Sequence, residues 1–157
     1  MLLHPKSHFV ALLLASGLLF VAAGCQTATE EETGTTSGPL MIENTTWQLS
    51  QVFGKPAEPV PADAKAAHFR LNGADKRVSG FTGINQFGGS YELRGSLLKF
   101  GPLAMTRKAG PTPLMQQEAS FAQALHDTST WRVADANSIE LLDSSEKVLA
   151  KLARAEN

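Results

Sequence analysis

From Asn44 onward, apolar and polar positions alternate in short runs with the two-residue period of half-buried strands. The runs are Thr45 to Gln51 (TTWQLSQ), Ala67 to Leu71, Arg77 to Thr82, Ser90 to Arg94, Leu97 to Phe100, Leu103 to Thr106, Thr130 to Ala134, Ser138 to Leu142 and Val148 to Leu152. Turn chemistry separates them, notably at Asn72-Gly73-Ala74-Asp75, Arg94-Gly95-Ser96 and Asp135-Ala136-Asn137, so successive runs are set up to pair as hairpins. One segment breaks the period. In Pro113 to His126, Leu114, Phe121 and Leu125 return at helical spacing, Pro113 suits a first turn, and Thr112 is placed to cap it. The pattern predicts a mainly β (α+β) fold, a small antiparallel meander rolled into a barrel-like sheet that one α-helix plugs or flanks.

The stretch Val78 to Tyr91 (VSGFTGINQFGGSY) has strand residues but carries four glycines. A sheet that curls tightly needs kinks, and Gly80 and Gly83 supply them where a Cβ would clash. Gly88 and Gly89 are expected to make the reversal into Ser90, and Asn85 to take up left-handed backbone or bond to nearby main chain.

The first 24 residues follow a different rule. Lys6 and two histidines precede an apolar run, Phe9 to Phe20, that ends in small residues, which is the three-part layout of a secretory signal. The run is shorter than the roughly 20 apolar residues needed to span a bilayer. Val21-Ala22-Ala23-Gly24-Cys25 resembles the lipobox of bacterial lipoproteins, with Ala22 where leucine is usual, and this implies a 1–24 lipoprotein signal peptide and lipidation of Cys25. Ordinary signal peptidase cleavage after Gly24 is the alternative, because Ala22 and Gly24 also fit its small-x-small rule. Cys25 is the only cysteine, and a lone unmodified thiol is a liability in an oxidising compartment. Two or three acyl chains, at about 0.8 kcal/mol per buried methylene, hold a protein at a membrane where one does not.

Residues 25–43 are rich in Thr, Glu and Gly and cannot bury enough surface to fold, so they read as a flexible tether. About 18 such residues reach roughly 20 to 25 Å. Gln26, rather than Asp, follows the cysteine. By resemblance to Gram-negative lipoprotein sorting, this implies the outer membrane, facing the periplasm. Residues 44–153 remain for one domain, of a size that supports a core without disulfides.

Charge and chemistry narrow the function. Removing the signal leaves 13 basic against 15 acidic residues and no basic run interleaved with aromatics, which argues against nucleic-acid binding. His68 and His126 are far apart and lack neighbouring cysteine or paired acids, so neither a metal site nor a Cys/His nucleophile is indicated. VSGFTG is not a nucleophile elbow, and no phosphate-binding Gly-rich loop occurs. A non-catalytic protein without cofactor is the expectation.

Glu118 is the one misplaced polar residue, since it falls between Leu114 and Leu125 on the apolar stripe of the helix and should face the sheet. Thr106, Arg107 and Asn85 are its candidate partners, either in a polar clamp joining helix to sheet or in recognition of a ligand. Trp47, Trp131, Phe69, Phe81, Phe87, Phe100 and Tyr91 are expected to form the core, with an apolar ligand pocket as the alternative. Arg70, Lys76 and Arg77 mark a charged hairpin that is either solvated or a protein-binding loop.

From Trp47 to Leu152 the chain resembles the META domain (HslJ-like) family. Trp47-Gln48-Leu49 matches its opening W-x-L, VSGFTGINQFGGSY its G-x-x-G-C-N core, LAMTRKAG its T-(R/K)-M-x-C segment, and Glu118, Phe121 and Leu125 its E-x-x-F-x-x-x-L helix. Ser138 to Leu152 matches its closing L-x-L strands. The resemblance implies a β-rich fold in an often lipidated cell-envelope protein linked to stress tolerance, with no established catalytic activity. Ile84 and Gly110 stand where the family has two cysteines, and their joint absence implies that those positions are spatial neighbours. The function expected is envelope or heat-stress tolerance through binding an unidentified protein or small ligand. A carrier of an apolar ligand and an inhibitor of a hydrolase are the alternatives.

Overall fold

The computed structural model describes residues 41–61 and 64–155. The signal segment, Cys25 and the tether up to residue 40 lie outside them. Ten strands and one helix follow in order: β1 (Thr46–Val52), β2 (Lys55–Pro56), β3 (His68–Asn72), β4 (Arg77–Phe81), β5 (Gln86–Arg94), β6 (Leu97–Phe100), β7 (Ala104–Met105), α1 (Thr112–Asp127), β8 (Thr130–Asp135), β9 (Ser138–Leu142) and β10 (Val148–Arg154). The nine sequence runs and the helix all appear. Lys55–Pro56 adds a two-residue edge strand that no alternation announced.

The strands form a mostly antiparallel sheet in the order β10-β9-β8-β6-β5-β4-β3-β1-β2, with β7 beside β5. Because β10 also pairs with β1, the sheet closes into a ring. The first strand carries the closure: Trp47 pairs with Arg154 and Leu49 with Leu152 along one edge, while Thr46 pairs with Arg70 and Gln48 with His68 along the other. The thinnest seam lies between β6 and β8. There Leu97 pairs with Thr130, flanked by main-chain bonds from Leu98 to Ser129 (3.1 Å) and from Trp131 to Ser96 (2.9 Å).

Alternation along each strand turns one set of side chains inward. Trp47, Phe69, Leu71, Val78, Leu98, Ile139, Leu141 and Leu152 meet Phe121, Ala124 and Leu125 of α1 in a single core. Phe121 packs edge-to-face on Phe87 at 6.1 Å between centroids. Of the aromatics that could line a pocket, Trp47, Phe69, Phe87 and Tyr91 are core and Phe100 and Trp131 pack against it, whereas Phe81 is half-buried outside the core, beside His68. The space inside the ring is taken by side chains.

Thr112 does not cap α1. It already lies within the helix, Pro111 precedes it, and no side chain bonds to the first amides. The helix stands without that cap because burying Phe121 and Leu125 contributes about 1.5 to 3 kcal/mol each, against about 1 for a good cap. At its other end, the Thr128 hydroxyl donates to the Ala124 carbonyl (2.7 Å).

The glycine-rich stretch also folds differently from the expectation. Gly88 and Gly89 lie inside β5, and the reversal is Thr82 to Asn85. At Gly80 a Cβ would strike the His68 carbonyl and the Phe87 ring, and at Gly83 φ is +104°, so these two glycines do serve the bend. Asn85 is not among the residues with left-handed backbone. It holds the corner with its side chain instead.

Candidate functional site

The corner between β4 and β5 closes on itself. The Thr82 amide donates to the Asn85 carbonyl (2.9 Å) and the Asn85 amide donates to the Thr82 hydroxyl (3.0 Å). This fixes the Asn85 side chain, which is only 2% exposed, toward the segment after β7 and toward α1. Its Nδ2 donates to the Lys108 carbonyl (3.1 Å) and to both oxygens of Glu118 (2.9 and 3.1 Å). Its Oδ1 accepts from the Thr106 hydroxyl (2.8 Å) and the Lys108 amide (2.7 Å). Both amide hydrogens and both lone pairs are in use. The Thr82 hydroxyl closes the circuit on Glu118.

One helical position away, Gln117 repeats the device. Its Nε2 donates to the Thr82 carbonyl (3.3 Å) and its Oε1 accepts from the Glu58 amide (2.6 Å). Among the described residues, every buried side-chain polar atom has a partner.

Of the candidates named from sequence, Asn85, Thr106 and Glu118 come together, and Arg107 does not join them. Arg107 is exposed and its side chain makes no ion pair with Glu118. The acid needs no cation because Asn85 and Thr82 donate to it. Thr106 reaches Glu118 only through Asn85. The residue of α1 that turns fully inward with Phe121 is Gln117, while Glu118 is half-buried at the edge of the stripe. Thr82 and Gln117 went unnoticed in the sequence. A threonine three residues before an asparagine was the available sign of a self-closing corner.

Two other ionic clusters lie elsewhere. Glu43 accepts from Lys76 (2.7 Å) and from the Tyr91 hydroxyl (2.6 Å), and those bonds, Lys76 first, hold its carboxyl below the usual range. Burial, and then the Glu43 carboxylate, push the Tyr91 hydroxyl well up. Glu140 is buried between Lys151 (2.8 Å) and Arg132 (2.5 Å); the Lys151 bond is the larger cause of its lowered pKa. The first cluster staples the start of the domain to the β3–β4 turn, and the second ties β8, β9 and β10 together. Among the described residues no three His, Cys, Asp or Glu side chains converge as metal ligands.

A single circuit thus joins the glycine corner, the post-β7 segment and the helix, three of the five stretches whose motifs suggested a family. The META domain model matches residues 40–156. The chain belongs to the META domain family. Its META domain is similar to a protein from Burkholderia xenovorans solved by NMR, with 27% identity, 74% of this chain and 85% of that one covered, and a TM-score of 0.57. A second NMR structure matches at 23% identity over 71% of this chain and 91% of the other, with a TM-score of 0.54. A DUF4847 family protein from Bacteroides vulgatus shares the fold at 14% identity and a TM-score of 0.54, over 74% of this chain and 96% of that one. No curated protein matches the chain.

The two positions where the META pattern has cysteines do meet. A Cβ built on Gly110 would fall 2.6 Å from Cδ1 and 2.9 Å from Cγ1 of Ile84. The isoleucine fills the space a bridge would occupy, and only a glycine leaves room for it.

Proposed function

We propose that this protein is a non-catalytic META-domain lipoprotein, held by an acylated Cys25 at the periplasmic face of the outer membrane, that contributes to envelope or heat-stress tolerance by binding a protein or ligand. The observation that carries the non-catalytic reading is the mutual satisfaction of the Asn85 circuit. A general base must have a free lone pair aimed at a substrate proton; the Asn85 amide has no donor or acceptor left over, and Glu118 is held in place by donors from Asn85 and Thr82. This supports reading the circuit as a clamp of the fold.

The anchor reading is supported by the sole cysteine standing directly after an apolar run and ahead of a polar tether. Cys25→Ser removes the acylated sulfur. Membrane and soluble fractions of cells producing each form, compared by immunoblot, should show the variant leaving the acylated membrane pool and migrating as the unprocessed chain. If the variant is processed and fractionates like the parent, the anchor is wrong.

A further inference from the structure

Outside the ring, two depressions of about 500 and 460 Å3 share Leu103 and Met105 and form one groove along α1. One wall is a single face of the helix, with Met115, Glu118, Ala122 and His126 at helical spacing. At 1.5 Å per residue this wall runs about 16 Å. The opposite wall is the segment from Phe100 to Lys108. Phe100, Leu103 and Met105 are half-buried, and Met115 is 45% exposed. Flexible thioethers are suited to an apolar chain without fixed shape.

The groove is asymmetric in charge. Arg107 and Lys108 are exposed at one end, and neither forms an ion pair among the described residues. Glu118 lies at the same end, but its carboxylate is already bound by Asn85 and Thr82, so the local balance is one net positive charge facing solvent. An extended peptide is poorly served here. β7 has only two residues, Pro102 has no N–H, and the amides of Thr106 and Lys108 are taken by Gln86 and Asn85. What remains is apolar side-chain contact along the trough and a cationic end.

We propose that this groove binds a long-chain fatty acid, with the acyl chain between α1 and the Phe100–Met105 segment and the carboxylate at Arg107 and Lys108. Its volume lies in the range of small-molecule sites. The proposal names a ligand class for the binding protein of the preceding section and rests on that reading.

The test uses the full mature chain in phosphatidylcholine nanodiscs, incubated with a photoreactive, alkyne-tagged palmitate. Labelling should saturate, be displaced by unlabelled palmitate, and map to peptides spanning 100–108 or 112–127. A double variant, Arg107→Glu with Lys108→Glu, changes only exposed side chains and should lower apparent affinity about tenfold or more at an unchanged Tm, since reversing a charge-assisted contact removes at least about 1.4 kcal/mol. Ala122→Phe fills the middle of the trough and should abolish labelling; if that variant does not fold, the charge variant decides alone. Labelling that palmitate does not displace, that maps elsewhere, or that is unchanged in the charge variant overturns the proposal. So does efficient capture of an extended apolar peptide carrying the same photoreactive group when palmitate fails to compete. Failure here, with Cys25→Ser unprocessed and absent from the acylated membrane pool, would sink the groove and leave the anchor standing.

Discussion

Asn85→Ala removes one side chain and leaves four groups without their partner: the Lys108 amide, the Lys108 carbonyl, the Thr106 hydroxyl and the Glu118 carboxylate. Lys108 and Thr106 are exposed residues, so water recovers most of what they lose, and each bond costs about 0.5 to 1 kcal/mol. Glu118 is half-buried and loses a donor to both oxygens, which costs about 1 to 2 kcal/mol. The total is about 2.5 to 5 kcal/mol, or on the order of 10 to 20 °C in Tm for a domain of this size. Asn85→Asp sharpens the test, because it keeps the shape but sets an oxygen where Nδ2 now lies 2.9 Å from Glu118. Two carboxylates that close share the site only by retaining a proton. The folded aspartate variant then binds a proton that the unfolded chain has released near neutral pH. Its stability is therefore greatest below the unfolded carboxyl range and falls as pH rises. Urea unfolding at pH 7 and pH 4.5 should rank parent above alanine above aspartate at the higher pH, with the aspartate variant recovering at the lower one. An alanine variant within about 0.5 kcal/mol of the parent, or an aspartate variant indistinguishable from alanine at both pH values, would refute the circuit as a stabilising element.

The paired positions make a second prediction. Gly110→Cys alone should destabilise, since its Cβ overlaps Ile84, whereas Ile84→Cys with Gly110→Cys should form a disulfide on oxidation and raise Tm; closing a loop of about 27 residues is worth roughly 3.5 kcal/mol in the chain-entropy account. Gly110 is not a positive-φ glycine, so cysteine fits its backbone, and two thiols that remain alkylatable after oxidation in a native-like fold would refute the pairing. Glu140→Gln removes a carboxylate whose pKa is lowered by Lys151 and Arg132. Such a group stabilises the fold above its unfolded pKa and loses that contribution as pH falls through its folded value, so the variant should be less stable at pH 7 and flatter across the acid limb. Because both cations are about half exposed, the loss is about 1 to 2 kcal/mol, and identical acid-unfolding curves would show the triad contributes nothing.

The strands were legible because each is buried on one face, so Trp47, Leu49 and their counterparts leave a period of two in the sequence. The reversal at Thr82 to Asn85 was not. Glycines at 80, 83, 88 and 89 look alike in a string, yet only contacts with His68 and Phe87 distinguish a bend from a straight strand lying against Pro102. β2 escaped for a related reason, since two exposed residues carry no alternation. Glu118 was found as an anomaly, with Asn85, Thr106 and Arg107 as its candidate partners, but charge alone made Arg107 a candidate where neutral donors suffice. Gln117 was missed because glutamine on an apolar face raises no charge, and Glu140 because its neighbours Arg132 and Lys151 are remote in sequence until the sheet forms. The meeting of Ile84 and Gly110 was readable only through the family pattern.

Closure of the ring by β1 and β10 sets a schedule for the polypeptide during biosynthesis. The strand bearing Trp47 emerges first, yet one whole edge of it waits for the last strand, so no partial chain lacking Val148 to Arg154 can be complete. Pairing across nearly the full domain is slow relative to local hairpins, because loop-closure entropy must be met before the contact returns anything. Until then, β1 and β9 both present open edges to other chains. A nick or frameshift near the C-terminus would thus do more than shorten the protein: it would leave an aggregation-competent open sheet, and quality control acting on this chain has its decisive moment at the final seven residues of strand.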